Sequence, residues 1–274
     1  MLNGLQSSNP VLAQDDVFNE YYGEAAGTVR SNVTTLQGVV NKTAILVGVA
    51  IVAGAGGYAV GQLYPNAIWI SAIAAFIVSL GIFYKLRGNP AHAVFLAPVY
   101  GVFQGFFLGA LTGALDHLLQ VMGYVAAGGL AVQAFIITIS VMLAMLALYS
   151  LGWLRPTRMF VAVVSTLTVG IMITYLISFI ASFFIAGLPF IRITSAFEGG
   201  WAPMIGLGLN VLFLGIASLW LIIDFGLVEE KIKEGAPKQM EWYCGFALIV
   251  TLAWIYLEAV KLAFRLAVLF GNRD

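Results

Sequence analysis

The chain has 274 residues, of which 61% are hydrophobic and only 9% are charged, and its mean hydropathy is +0.96. Soluble domains are about 25% charged, so this composition excludes an ordinary soluble enzyme and a disordered protein. The formal net charge of zero provides no basic face for nucleic acid, and the single cysteine, Cys244, excludes an internal disulfide. The remaining class is an integral membrane protein that crosses the bilayer several times.

The first residues differ from the rest of the chain. Residues 1–42 carry several charges and no long apolar run, so we expect a polar cytoplasmic N-terminal tail, followed by a transmembrane domain over residues 43–270. A helix that spans a bilayer needs about 20 apolar residues, and seven such runs follow the tail. The runs cover residues 43–63, 67–86, 93–115, 131–153, 159–187, 202–227 and 243–270. They predict an all-α membrane protein with seven transmembrane helices, the long fifth one being tilted or broken.

Basic residues occupy every second connection. They are Arg30 and Lys42 before the first run, Lys85 and Arg87 in the second loop, Arg155 and Arg158 in the fourth, and Lys231, Lys233 and Lys238 in the sixth. The first and third loops have none, and the fifth has only Arg192. The positive-inside rule then predicts a cytoplasmic N-terminus and a C-terminus outside the membrane.

Four ionisable residues interrupt the last two runs: Asp224 in the sixth, and Glu258, Lys261 and Arg265 in the seventh. A charge at the centre of the bilayer costs about 2.5–3.5 kcal/mol on insertion scales, so each is a candidate functional residue. The spacing of the last three places them on one helical face. In a purely structural interpretation, Glu258 and Lys261 neutralise each other, Arg265 extends towards the membrane surface, and Asp224 is an interfacial residue.

In the functional interpretation, Asp224 and Glu258 form a carboxylate pair. Two acids held close together cannot both ionise cheaply, so they share a proton and respond to pH. A nearby cation (Lys85, Arg87 or Lys261) would tune this latch between two helices. A tight hairpin at residues 235–237 would place Asp224 level with about residue 247, so contact with Glu258 requires a looser connection.

Small residues recur along the third run. Gly101, Gly105 and Gly109 form a double small-xxx-small pattern, which lets helices approach each other closely. Helix packing is one interpretation of this series, and a water-filled path beside the helix is the other.

Two segments carry a family resemblance. Residues 254–266, WIYLEAVKLAFRL, resemble the C-terminal signature of the Bax inhibitor (TMBIM) family, and residues 218–224, SLWLIID, resemble its other landmark, an acid that ends the sixth helix. Residues 40–44, 89–109 and 235–243 are similar to a larger bacterial branch of the family. The signature commonly has aspartate at the position of Glu258, and this chain has no acid in its second run.

The resemblance implies a fold in which two three-helix layers surround a central C-terminal helix. It also implies a proton sensor made of two acids, which here correspond to Asp224 and Glu258. The family includes proton-sensitive calcium leak channels, and some bacterial members associate with a membrane-anchored AAA protease.

From the residues and the resemblance together, we expect a pH-sensitive calcium leak channel in the bacterial inner membrane. The alternative is a regulatory protein that interacts with a membrane protease through its N-terminal tail. A retinal protein with Lys261 as the Schiff base is disfavoured, because the third run lacks a counter-ion acid. No nucleophile–base set or nucleotide motif is present, so we expect no enzymatic activity, no catalytic residue, no cofactor, no metal site and no nucleic-acid partner.

Overall fold

The computed structural model describes residues 33–184, 188 and 191–271, and these form seven long α-helices. The helices are α1 Leu36–Leu63, α2 Ala67–Gly88, α3 Ala93–Val121, α4 Leu130–Ser150, α5 Arg158–Ala181, α6 Ala202–Lys233 and α7 Met240–Phe270. Two short 3-10 helices, Pro90–His92 and Ile193–Phe197, lie in the connections. Each of the seven is long and apolar enough to cross a membrane, which confirms the predicted multi-pass membrane protein.

Several helix ends differ from the apolar runs. The first helix begins at Leu36, where the side chain of Thr35 accepts a hydrogen bond from the amide of Gly38 at 3.0 Å, so part of the expected tail is helical. The sixth helix continues to Lys233, because ion pairs such as Lys233 with Glu229 at 2.5 Å support its polar last turns. Hydropathy detects only the apolar part of such helices. The connection between α6 and α7 is therefore limited to residues 234–239.

The seven helices form two groups of three around α7. In the first group α3 packs on α1 and α2, and in the second group α6 packs on α4 and α5. The last helix packs on α1, α3, α4 and α6, while Phe83 of α2 and Tyr175 of α5 reach its side chains Phe246 and Glu258. This arrangement confirms the predicted two layers around a central C-terminal helix.

The backbones of α1 and α3 are in direct contact along a seam of glycines. A methyl group added at Gly109 would lie 2.7 Å from the carbonyl carbon of Gly54, and one at Gly105 would lie 2.7 Å from the Cα atom of Ala50. Gly57 of α1 meets the backbone of α3 in the same way. The small-xxx-small series therefore packs two helices together, as the first of its two interpretations predicted.

The bundle has two ends, at which the helices begin and end. The proximal end holds the start of α1 at Leu36 and the connection 234–239, and the distal end holds Leu63 and Phe270. Because the helices alternate in direction, the second, fourth and sixth connections lie at the proximal end with the start of α1. The basic residues of the sequence pattern thus gather at one end, and the cytoplasmic location of that end stays a prediction.

Candidate functional site

Glu258 lies at the centre of a polar cluster between α5, α6 and α7. Its side chain is 0% exposed, and it faces one donor from each of the three helices. Its carboxylate accepts hydrogen bonds from Asn210 Nδ2 at 2.7 Å, from Lys261 Nζ at 2.7 Å and from Tyr175 OH at 3.3 Å. A buried carboxylate with three donors is well compensated, and Glu258 also lines a small cavity beside the cluster.

Two cations accompany Glu258 on α7. Lys261, whose side chain is 19% exposed, forms the ion pair with Glu258 and also donates to Tyr175 OH at 2.7 Å. Arg265 is buried and donates to the carbonyl oxygen of Arg192 at 2.9 Å and to Ser195 Oγ at 3.3 Å. The neutralisation of Glu258 by Lys261 is therefore observed, whereas Arg265 does not extend to the surface. It holds the distal connection instead.

Asn210 is a residue of this cluster that sequence analysis did not identify. It is buried on α6 and donates through Nδ2 to both the carboxylate and the backbone carbonyl of Glu258, while its Oδ1 has no hydrogen-bond partner. A cavity of about 20 Å³ lies beside it, lined also by Tyr175 and Arg265. That volume is sufficient for about one water molecule. The sequence signal that could have identified Asn210 is its position in an apolar helix, because a buried amide group needs hydrogen-bond partners.

Asp224 lies on α6 and faces α7, nearer the proximal end than Glu258. It is 7% exposed, and the hydroxyl of Thr251 on α7 is a hydrogen-bond partner of its carboxylate. Its Oδ2 atom is buried without a partner. A buried polar atom without a partner costs about 1–3 kcal/mol. Such an atom marks a place where a proton, a water molecule, a cation or a conformational change can supply what is missing.

The structure does not bring Asp224 and Glu258 together. Asp224 is fourteen residues along α6 from Asn210, which contacts Glu258, and this corresponds to about 20 Å of helix. Measured along α7, Thr251 and Glu258 are seven residues apart, or about 10 Å. The short connection 234–239 produces this offset, as the hairpin arithmetic anticipated. The two acids therefore occupy two levels of one interface.

The other two predicted cations lie away from the acids. Lys85 and Arg87 are exposed in the last turn of α2 at the proximal end. Among the described residues, the cation in contact with Glu258 is Lys261.

Two further carboxylates are buried, although the sequence placed them near the ends of helices. Asp116 on α3 is 5% exposed and accepts hydrogen bonds from Tyr58 OH at 2.7 Å and from the amide of Leu130 at 3.2 Å. Glu241 in the first turn of α7 is 2% exposed. Acids at helix ends are usually solvated, so composition alone gave no signal for their burial.

The interface between α6 and α7 contains two separate buried carboxylates, those of Asp224 and Glu258. Within the described part of the chain, no three histidine, cysteine or acidic side chains gather at one point. Asp224 and Glu258 instead lie one above the other between α6 and α7, in helices of high mean hydropathy. Carboxylate oxygens attract hard cations, and two separate acids suit transient contacts better than tight binding.

Comparison with known proteins gives one family. A family model described as Bax inhibitor 1 like matches residues 9–267. No curated protein and no solved structure gives a significant match.

Proposed function

The chain belongs to the Bax inhibitor 1-like family, and on that premise we propose that it is a pH-sensitive leak for cations, with calcium as the permeant ion. In this proposal the path follows the interface of α6 and α7, and Asp224 and Glu258 control it. The observation that carries the proposal is the unpartnered Oδ2 of Asp224, a buried acid at the proximal level of that interface.

The Glu258 cluster provides the closed position of such a path. Lys261 lies 2.7 Å from one oxygen of the Glu258 carboxylate, so a competing cation would have to displace it from that oxygen. A proton on Glu258 would remove the charge that holds Lys261, since an ion pair requires both charges. Lys261 would then be free to move with Tyr175, to which it also donates.

The predicted proton-sharing pair requires another conformation. The two acids are separated in the present arrangement, so direct contact would need α7 to shift along α6 by about 10–20 Å, the offsets that the spacing of their partners gives along α7 and along α6. The pair therefore stays a prediction. In the present arrangement each acid has its own partners, Thr251 for Asp224 and Asn210 and Lys261 for Glu258.

The test is calcium flux into proteoliposomes between about pH 6 and pH 8, the range in which coupled carboxylates can titrate. We expect a protein-dependent flux that changes with pH. Asp224→Asn and Glu258→Gln should each remove part of the pH dependence, and the double variant should remove all of it. If the acids act as one pair, either single variant should be as severe as the double variant.

Glu230→Gln is the matched control, because Glu230 is an exposed carboxylate on the same helix α6. This variant should keep the pH profile of the unmodified protein. An unchanged profile in the double variant of Asp224 and Glu258 would refute the proposal.

The second candidate function is regulation of a membrane protease through the N-terminal tail. One observation favours it: the chain is fixed at the proximal end just before α1, where the amide of Thr34 donates to the carbonyl of Ala236 at 2.7 Å. Deletion of residues 2–32 should then weaken binding to the protease and alter its turnover of substrates, and this candidate fails if both remain unchanged.

A further inference from the structure

At the proximal end, a short extended segment before α1 is joined to the connection between α6 and α7. Val33 forms an antiparallel β-bridge with Pro237. The amide of Thr34 donates to the carbonyl of Ala236 at 2.7 Å, and its hydroxyl donates to the carbonyl of Pro237 at 2.8 Å. We name this contact the clasp. Its members are Val33, Thr34, Thr35, Ala236, Pro237 and Glu241.

Glu241 completes the clasp by capping α1 from another helix. Its Oε1 accepts a hydrogen bond from the amide of Thr35 at 3.2 Å and another from the hydroxyl of Thr35 at 3.0 Å. The same hydroxyl accepts from the amide of Gly38. A carboxylate near a helix N-terminus is stabilised by the free amides and the helix dipole. Gly38 makes room for it, since a side chain there would overlap the carboxylate of Glu241.

A capped helix does not by itself require this arrangement. The first turn of α5 is capped locally by Thr157, whose hydroxyl accepts from the amide of Phe160 at 3.2 Å, and Thr35 caps α1 in the same way. Glu241 adds a buried charge from a residue 206 positions away, and no ion pair involves it among the described residues. Burying a carboxylate is costly. What the hydrogen bonds of Glu241 add to the local cap is a link between the start of α7 and the start of α1.

We propose that the clasp is a latch that holds the proximal end of α7 to α1 and opens when α7 moves. The helix it holds is the central one, which carries Glu258. Opening would separate Thr35 from Glu241 and leave α7 free to shift at its proximal end. Only the consequence for flux rests on the proposed leak function.

The first experiment measures hydrogen exchange and needs no transport. Glu241→Gln keeps the size of the side chain and removes its charge. If the clasp is a latch, this variant should accelerate exchange by about tenfold in two segments together, residues 35–39 and residues 240–246. Thr35→Val should do the same, and Glu230→Gln should change neither segment. Faster exchange in residues 35–39 alone would show that Glu241 is only a helix cap and would overturn the proposal.

The second experiment locks the clasp. Paired residues of an antiparallel bridge have Cα atoms about 4.5–5.5 Å apart, which is within the range that a disulfide spans. Val33→Cys with Pro237→Cys, in a Cys244→Ser background, should therefore crosslink on oxidation. Each of the two single-cysteine variants, in the same background and oxidised in parallel, is the control.

We expect the crosslinked protein to lose at least four-fifths of its calcium flux, and a reducing agent to restore it. Equal flux in the oxidised and reduced forms would overturn the latch. Absence of flux in the reduced form and in the unmodified protein would instead refute the leak function, and hydrogen exchange would still decide whether the latch exists.

Discussion

The ion pair between Glu258 and Lys261 allows a quantitative test of the site. Lys261→Met removes the cation and leaves Glu258, which is 0% exposed, as a buried charge. Breaking a buried ion pair in this way costs about 3–5 kcal/mol. Asn210 and Tyr175 remain as donors to the carboxylate, so we expect the lower end of that range, about 3 kcal/mol.

The double variant distinguishes the cost of an unpaired charge from the value of the pair. Glu258→Gln with Lys261→Met replaces both charges, and glutamine keeps an acceptor for Asn210 Nδ2. Replacing both partners of a buried pair is often nearly neutral, so we expect the double variant to recover most of the lost stability. The coupling between the two sites should be about 2 kcal/mol. The free energy of unfolding is measured by reversible unfolding in detergent micelles, followed by circular dichroism, for the unmodified protein, Glu258→Gln, Lys261→Met and the double variant.

Lys231→Met is the matched control, because the ion pair of Lys231 with Glu234 has the same i,i+3 spacing but side chains that are 25% and 50% exposed. An exposed pair contributes at most about 1 kcal/mol. If Lys261→Met costs no more than Lys231→Met, Glu258 is not held as a buried charge, and the reasoning about the closed path fails.

Four further outcomes follow from the packing and the hydrogen bonds. Gly109→Ala should destabilise the protein by about 1–3 kcal/mol, since the added methyl group meets the backbone of α1. Gly48→Ala, with nothing within 4 Å of the new methyl group, should be neutral or stabilising by up to about 1 kcal/mol; thermal unfolding of the pair tests both, and equal melting temperatures would contradict the seam. Tyr58→Phe removes a donor to buried Asp116 and should cost about 1.5–3 kcal/mol, whereas Tyr84→Phe, at a residue 79% exposed, should change the free energy of unfolding by less than about 0.5 kcal/mol.

The sequence predicted the features that depend on hydropathy and helical spacing. Seven apolar runs correspond to seven helices, and the i, i+3 spacing of Glu258 and Lys261 placed them in contact at 2.7 Å. The layered arrangement around α7 came from the family resemblance, because hydropathy cannot show which helices are neighbours. Helix ends were predicted less well, since capping by Thr35 depends on local hydrogen bonds rather than on apolar length.

The partners of the acids could not be predicted from spacing. Asp224 lies beside Thr251 because the connection of α6 to α7 is short, whereas the partner of Glu258 on α6 is Asn210. The burial of Glu241 depends on a segment about 200 residues earlier in the chain, and no local pattern contains that information. Sequence therefore identified the carboxylates of the interface but not the contacts that control them.

The glycine seam joins α1 and α3 more closely than the second group of helices is joined, and we expect the two halves of the bundle to differ in stiffness. At Gly105 and Gly109 the backbones of α1 and α3 meet with no side chain between them. No side chain at these contacts can change rotamer, so we expect the two helices to move as one rigid unit. By contrast, α5 packs its backbone against α6 and reaches α7 through the side chain of Tyr175. Many of its apolar side chains are exposed, so in a membrane we expect bilayer thickness and lateral pressure to act on this helix. We therefore expect changes in the bilayer to reach the layer that also carries Asp224.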